Sequence, residues 1–288
     1  MKKATVVLSL IFIVCITTAF IQQLNEEEKP YFIPPSVQQT GDSAKGYAYL
    51  TTGDFLKSGI PYNSFIFLNG KDNNNYLNRT GKNANVEQGF NVITNANGID
   101  IVIPTCLQCH SQVFEDSLYV GMGNTFQDFS NLNKQYNFLG DVAIKAMQTF
   151  NPKGYEAAQP IITSFKTVFP KMETEVQGVN AADRLAMLLV SHRDPVTLAW
   201  NKKPILDIPN ETIPTDVPAW WMLKKKNAMF YNGFGRGDFG RFLMLSNLLT
   251  VKDTTEAREV YSHFGDVLAY IKSIKAPKYP KPINQELA

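Results

Sequence analysis

Ile101-Val102-Ile103-Pro104-Thr105-Cys106-Leu107-Gln108-Cys109-His110 is the stretch from which the rest of the chain can be read. It opens as a β-branched run and ends with two cysteines and a histidine at i, i+3 and i+4. Upstream lie Phe90-Asn91-Val92-Ile93 and the turn pair Asn97-Gly98. Two β-branched runs around Asn-Gly predict a β-hairpin over 90–103. Such a hairpin delivers the chain through Pro104 directly into the cysteines.

Beyond the cysteines the periodicity turns helical. Leu139, Val142, Ala143, Ala146, Met147 and Phe150 follow i, i+3, i+4, i+7, i+8, i+11, which predicts an amphipathic helix with this stripe on a core. Ile161, Ile162, Phe165, Val168 and Phe169 predict a second helix, stopped by Pro170. Asn180 caps a third, with Asp183 three residues on and Ala181, Leu185, Leu188, Leu189 and His192 facing inward. After the proline-rich link 204–218, Asp216 and Pro218 open a helix through Trp220 and Leu223 towards Phe230. Phe242, Leu245 and Leu249 point to another. The last runs from Thr255 to Ile274, with Ala257, Val260, Tyr261, Phe264, Leu268 and Ile271 on one face. Residues 25–85, with Pro30, Pro34, Pro35 and Asp72-Asn73-Asn74-Asn75, read as a loop-rich extension. The expected fold is mostly α with a loop-rich, partly β N-terminal segment.

Bulk properties narrow the classes. The chain has 288 residues, enough for one large domain or two modest ones with a real core. Its 28 basic residues nearly balance 26 acidic ones, which gives no reason to invoke nucleic acid. Met1-Lys2-Lys3 followed by the apolar run Ala4 to Ile21 reads as an export signal. Residues 1–24 are thus either a cleaved signal peptide or an N-terminal membrane anchor through residues 4–21. The expected location is outside the cytoplasm, in the periplasm or cell envelope.

Outside that run only Cys106 and Cys109 remain. A disulfide between them would close a loop too small to stabilise a chain of this size. Cys-x-x-Cys-His is the attachment pattern of c-type haem: two thiols form thioethers with the haem vinyl groups, and the adjacent histidine reaches the iron. A zinc site would need two further ligands, and no second cysteine pair exists. A redox dithiol would want a βαβ context. Cys106 and Cys109 are therefore the expected covalent anchors of one haem c, and His110 its axial iron ligand.

The opposite axial position stays open. His192 is the candidate for the distal side, against the alternative of a satisfied core histidine at a helix C-terminus. No methionine stands out as a thioether ligand. Trp220 is a candidate wall of the haem pocket. Arg236 and Arg241, on either side of Gly237-Asp238, are candidate partners of the haem propionates. The run Lys224-Lys225-Lys226 reads as a solvated face that could dock an acidic redox partner.

Cys106-Leu107-Gln108-Cys109-His110, Asn180 to Leu185, His192-Arg193-Asp194-Pro195, Asp216 to Lys226, Gly235 to Asp238, and Tyr270 to Ile274 with Pro277 to Pro280 together resemble an exported di-haem c-type cytochrome family. That family is related to bacterial di-haem cytochrome c peroxidases and rubber-oxygenase-type proteins. The resemblance covers roughly residues 85–288. It implies that residues 86–288 form a cytochrome c-like helical haem domain, the first of two. A second Cys-x-x-Cys-His is expected after the tyrosine–proline segment, and the sequence ends there without one. With one haem the expected function is electron transfer, to a redox partner protein or a second haem domain. The alternative is a haem-dependent oxidoreductase, peroxidase- or oxygenase-like, whose second haem domain is missing from this chain.

Overall fold

The computed structural model describes residues 31–130, 140–279 and 281–287. The expected export segment and Leu139 lie outside them. The chain divides into residues 1–34 and 35–288, and all that follows concerns the second unit. Helix outweighs strand, 42% against 11%, and the sheets are small, so the fold is mixed α/β dominated by helix. Among the described residues no helix is long and apolar enough to cross a membrane.

The hairpin forms as its residues dictate. Strand β2 (Phe90–Thr94) pairs antiparallel with β3 (Asp100–Pro104), Phe90 opposite Pro104 and Thr94 opposite Asp100. The two-residue strand β1 (Ile60–Pro61) joins the other edge of β3. Ile101 and Ile103 point into the main core, while Val102 and Val92 meet Val86 on the opposite face. A sheet covered on both sides needs a continuous apolar run rather than alternation, which is what residues 101–103 supply.

Residues 25–85 depart from the loop-rich expectation. They carry α1 (Ser43–Thr52) and α2 (Tyr62–Asn69), with β1 between them. Asp42 caps α1 by accepting the Ala44 and Lys45 amides. Gly46, inside α1, is a packing device. A Cβ at Gly46 would sit 2.0 Å from the Asp266 carbonyl oxygen, so only glycine allows α1 to approach α7 (Thr254–Ser273) this closely. Arg79 is buried in this segment and donates to the backbone oxygens of Thr51, Phe90, Val86 and Glu87. It ties the extension to the hairpin.

Four helical expectations need correction. After His110 the chain first makes a hairpin, β4 (Ser111–Phe114) and β5 (Ser117–Val120), turning through Glu115 and Asp116 at positive φ. Helix α3 (Asp141–Phe150) forms, but little of its stripe is core: Val142 and Phe150 are 84% and 86% exposed, and only Met147 of the stripe packs against the core, half-buried, beside the buried Ile144. From Asp216 to Phe230 there is no long helix, only a 3₁₀ turn at Trp220–Lys225 in which Trp220 alone is buried. One buried side chain is too little apolar face to hold a helix of that length. Residues 239–249 likewise split into α6 (Phe239–Leu243) and a 3₁₀ turn.

The remaining helices follow the pattern. Helix α4 (Pro152–Val168) buries Ile161, Ile162, Phe165 and Val168, and α5 (Ala182–Ser191) buries Leu188 and Leu189 and ends at His192. Helix α7 is capped by Asp253, which accepts the Thr255 and Glu256 amides at 2.9 and 3.0 Å. Val260, Phe264, Val267, Leu268 and Ile271 form its buried face. Phe264→Ala should therefore cost about 3–5 kcal/mol in urea unfolding. Val142→Ala, by contrast, should stay within about 0.5 kcal/mol. Equal costs would contradict the exposed orientation of α3.

Candidate cofactor-attachment site

The site is one helical turn. Thr105 opens it by accepting the Leu107 amide on its hydroxyl, at 3.2 Å. The Cys106 carbonyl then accepts the amides of both Cys109 and His110, the latter at 3.0 Å. Residues at i, i+3 and i+4 of a helical turn share a face. Cys106, Cys109 and His110 are therefore gathered on one side, while Leu107, 1% exposed, anchors the other in the core. Ser111 closes the turn by donating to the Leu107 carbonyl at 2.7 Å.

Two segments clasp this turn. Asn124 donates its amide to the Cys109 carbonyl at 2.8 Å and its side chain to the Gln108 carbonyl at 2.9 Å. The Gly121 amide donates to the His110 carbonyl at 2.7 Å, and the Gly121 carbonyl accepts the Trp220 amide at 2.8 Å. Gly123 lies against Val217, whose carbonyl oxygen would be 2.0 Å from any Cβ there. The result brings Trp220 onto His110: the rings stack with centroids 4.7 Å apart and planes at 22°.

Burial controls the chemistry of the three groups. The cysteines are half-buried and not joined as a disulfide. Desolvation pushes the Cys106 thiol up to about 11, and the Cys109 thiol to about 12 with its neighbour's charge adding to the effect. Cys109 also donates weakly to the Gln127 side-chain oxygen at 3.6 Å. Desolvation pushes His110 down to about 4, opposed by the Pro218 backbone. The imidazole is thus neutral across the physiological range, and its Nδ1 is buried with no hydrogen-bond partner. A neutral imidazole with a free lone pair is a ready metal ligand. The roles of Pro218, Asn124 and Gln127 were not legible in the sequence, because contacts across 15 to 108 residues leave no local pattern.

The other candidates are held elsewhere or otherwise. His192 is 1% exposed, its Nδ1 paired with the Asn201 carbonyl at 2.8 Å and its Nε2 buried without a partner. It stacks on Trp200, and Arg193 beside it donates to the Val251 carbonyl at 2.7 Å, just before α7 begins. Trp220 and Gly121, in contrast, pack near Ile274, just after α7 ends. The 20 residues of α7 make a rod of about 30 Å. His110 and His192 are therefore tied through these contacts to opposite ends of the same helix. Near His192 a cleft of about 1060 Å³ opens, lined by Arg193, Trp200 and Glu256 among others. Arg241 donates to the Tyr261 hydroxyl at 3.2 Å and lies over its ring. Arg236 donates to the Gly233 carbonyl in its own turn, at 3.0 Å.

The depressed His110 gives a stability profile with a definite sign. The unfolded chain takes up the proton near 6.5, whereas the folded chain refuses it until about 4. Stability of the unmodified polypeptide is therefore full above pH 6.5 and lost as pH falls through that window, with a slope approaching about 1.4 kcal/mol per pH unit. Urea midpoints from pH 7 to 4.5 should show this loss, and His110→Phe should flatten it. A wild-type profile as flat as the variant's would refute the buried neutral imidazole. No family model, curated protein or solved structure matches the chain.

Proposed function

We propose that the chain is a c-type cytochrome with one haem, attached through Cys106 and Cys109 and ligated at the iron by His110, and that it transfers electrons in the cell envelope. The observation that carries the reading is the single turn on which two free thiols and a buried imidazole with an unpartnered nitrogen face the same way. This donor set fits haem c: two thiols for the two thioethers and one lone pair for the iron. On this reading residues 86–288 are a cytochrome c-like haem domain, and residues 1–24 are an export signal peptide or N-terminal membrane anchor.

The haem would supply a one-electron couple whose potential the protein tunes. The chain's own residues hold and shield it. Thr105 and Ser111 fix the turn, so the three donors keep their relative positions without reorganisation. Stacking on Trp220 sets the plane of the His110 ring, and the Pro218 carbonyl beside the ring can take its N–H. Such outer partners orient a ligating imidazole and raise its basicity. Burial keeps that imidazole unprotonated, so no proton competes for the lone pair.

Production of the full chain alongside a c-type haem maturation system tests this. Wild type should carry one haem per chain that survives acid–acetone extraction and gives the pyridine haemochrome bands of a double thioether. Cys106→Ser and Cys109→Ser should each red-shift the haemochrome, and the double variant should lose covalent haem entirely. A wild type free of covalent haem would sink the proposal. A spectrum that changes on peroxide addition would move the assignment from electron carrier to haem oxidoreductase.

A further inference from the structure

Helices α2 and α3 turn apolar side chains outward. Phe67 and Phe150, 88% and 86% exposed, are the two most exposed aromatic residues among the described ones. They line the same groove of about 450 Å³, together with the buried Ile60 and Ile144 and the half-buried Met147. Leu68 on α2 lines it too, and Val142, one turn before Ala146 on α3, is exposed beside it. An exposed phenylalanine does less for a helix than a straight-chain polar residue, so the fold itself has no use for either. Single exposed apolar residues are ordinary, but a contiguous set around a groove marks a place of contact.

The rim of this groove is cationic. Lys71 follows the Gly70 cap of α2, Lys145 lies between the groove residues Ile144 and Ala146, and Lys153 stands two residues past Asn151, which also lines it. All three are exposed, and none forms an ion pair among the described residues. The acids of the same segments are engaged elsewhere. Asp141 pairs with Lys166 at 2.7 Å. Asp72 accepts the amides of Asn74 and Asn75 at 3.1 and 3.3 Å and attracts the buried Arg79. Glu156, one turn beyond Lys153, lines the separate cleft beside Arg193.

We infer that this face seats on an anionic bilayer, with Phe67 and Phe150 entering the acyl region, one lipid chain in the groove, and the three lysines at the headgroup phosphates. Aromatic and aliphatic side chains bordered by lysine hold a protein at a membrane interface, the lysine stems spanning the boundary between apolar and wet layers. Charge favours a bilayer over a second copy. A two-fold contact pairs a surface with itself, so it would bring Lys71, Lys145 and Lys153 of both copies together with no free carboxylate between them. The groove's volume lies at the small end for a ligand site, which suits a single chain. The inference draws on neither the haem nor the attachment turn.

Hydroxyl-radical footprinting of the full chain, read by mass spectrometry with and without vesicles, tests it. On phosphatidylcholine vesicles containing phosphatidylglycerol, oxidation of Phe67, Met147 and Phe150 should fall about threefold or more, and less on phosphatidylcholine alone. Exposed Phe126 and Tyr279 serve as controls and should change little. Lys71→Glu with Lys145→Glu and Lys153→Glu should abolish the difference between the two vesicles. Phe67→Ser with Phe150→Ser should return Met147 to its vesicle-free reactivity. Circular dichroism reports whether each variant is folded. The readout is local, so an N-terminal anchor that merely tethers the chain to the vesicle does not reproduce it. Unchanged oxidation along the groove, or an equal fall at Phe126 and Tyr279, would overturn the inference. So would protection of Phe67 and Phe150 without vesicles: rising with protein concentration it means a second copy, and independent of concentration it means cover by the chain itself.

Discussion

The close approach of α1 to α7, made at Gly46 against the Asp266 backbone, is the contact on which the architecture hangs. It seats the 20-residue helix against the extension, with Asp42 donating its amide to the Asp266 carboxylate at 2.6 Å. Once α7 is fixed, its two ends define two regions. One end presents Val251 to Arg193 and so positions α5 with His192. The other presents Ile274 to Gly121 and Trp220, and through them to the attachment turn.

Within that turn the governing balance is between desolvation and local hydrogen bonding. Backbone donors and acceptors are satisfied by Thr105, Ser111, Asn124 and Gly121, so the turn is rigid without help from the cysteine side chains. The thiols and the imidazole are left with weak or missing partners. Burial then disfavours the thiolates and the imidazolium alike, which keeps all three groups uncharged. Of the three groups the His110 Nδ1 alone is buried with no partner, and that orphaned lone pair is the physical argument for a bound group.

Local signals in the sequence were good guides where local physics decides. Asn97-Gly98 between β-branched runs did make a hairpin, and the 3.6-residue pattern after Asp253 did make α7. The i, i+3, i+4 spacing of Cys106, Cys109 and His110 already implied a shared face. The failures have a common cause. Gly46 has no local signal for its role, which appears only when α7 lies against it. Val142 and Phe150 belong to a stripe yet stay exposed, since periodicity reports amphipathicity but not what the apolar side meets.

Arg79 and Arg193 show how this chain spends two buried cations without a carboxylate. Arg79 reaches the backbone oxygens of four residues, and Arg193 those of Leu198, Leu248 and Val251, each from one planar guanidinium. An ammonium has three donors spread around a point and cannot span carbonyls fanned out in a plane. The two positions therefore discriminate between residues of the same charge. Drift among relatives of this protein should exchange surface lysines and arginines freely while holding arginine at 79 and 193, where geometry rather than charge is selected.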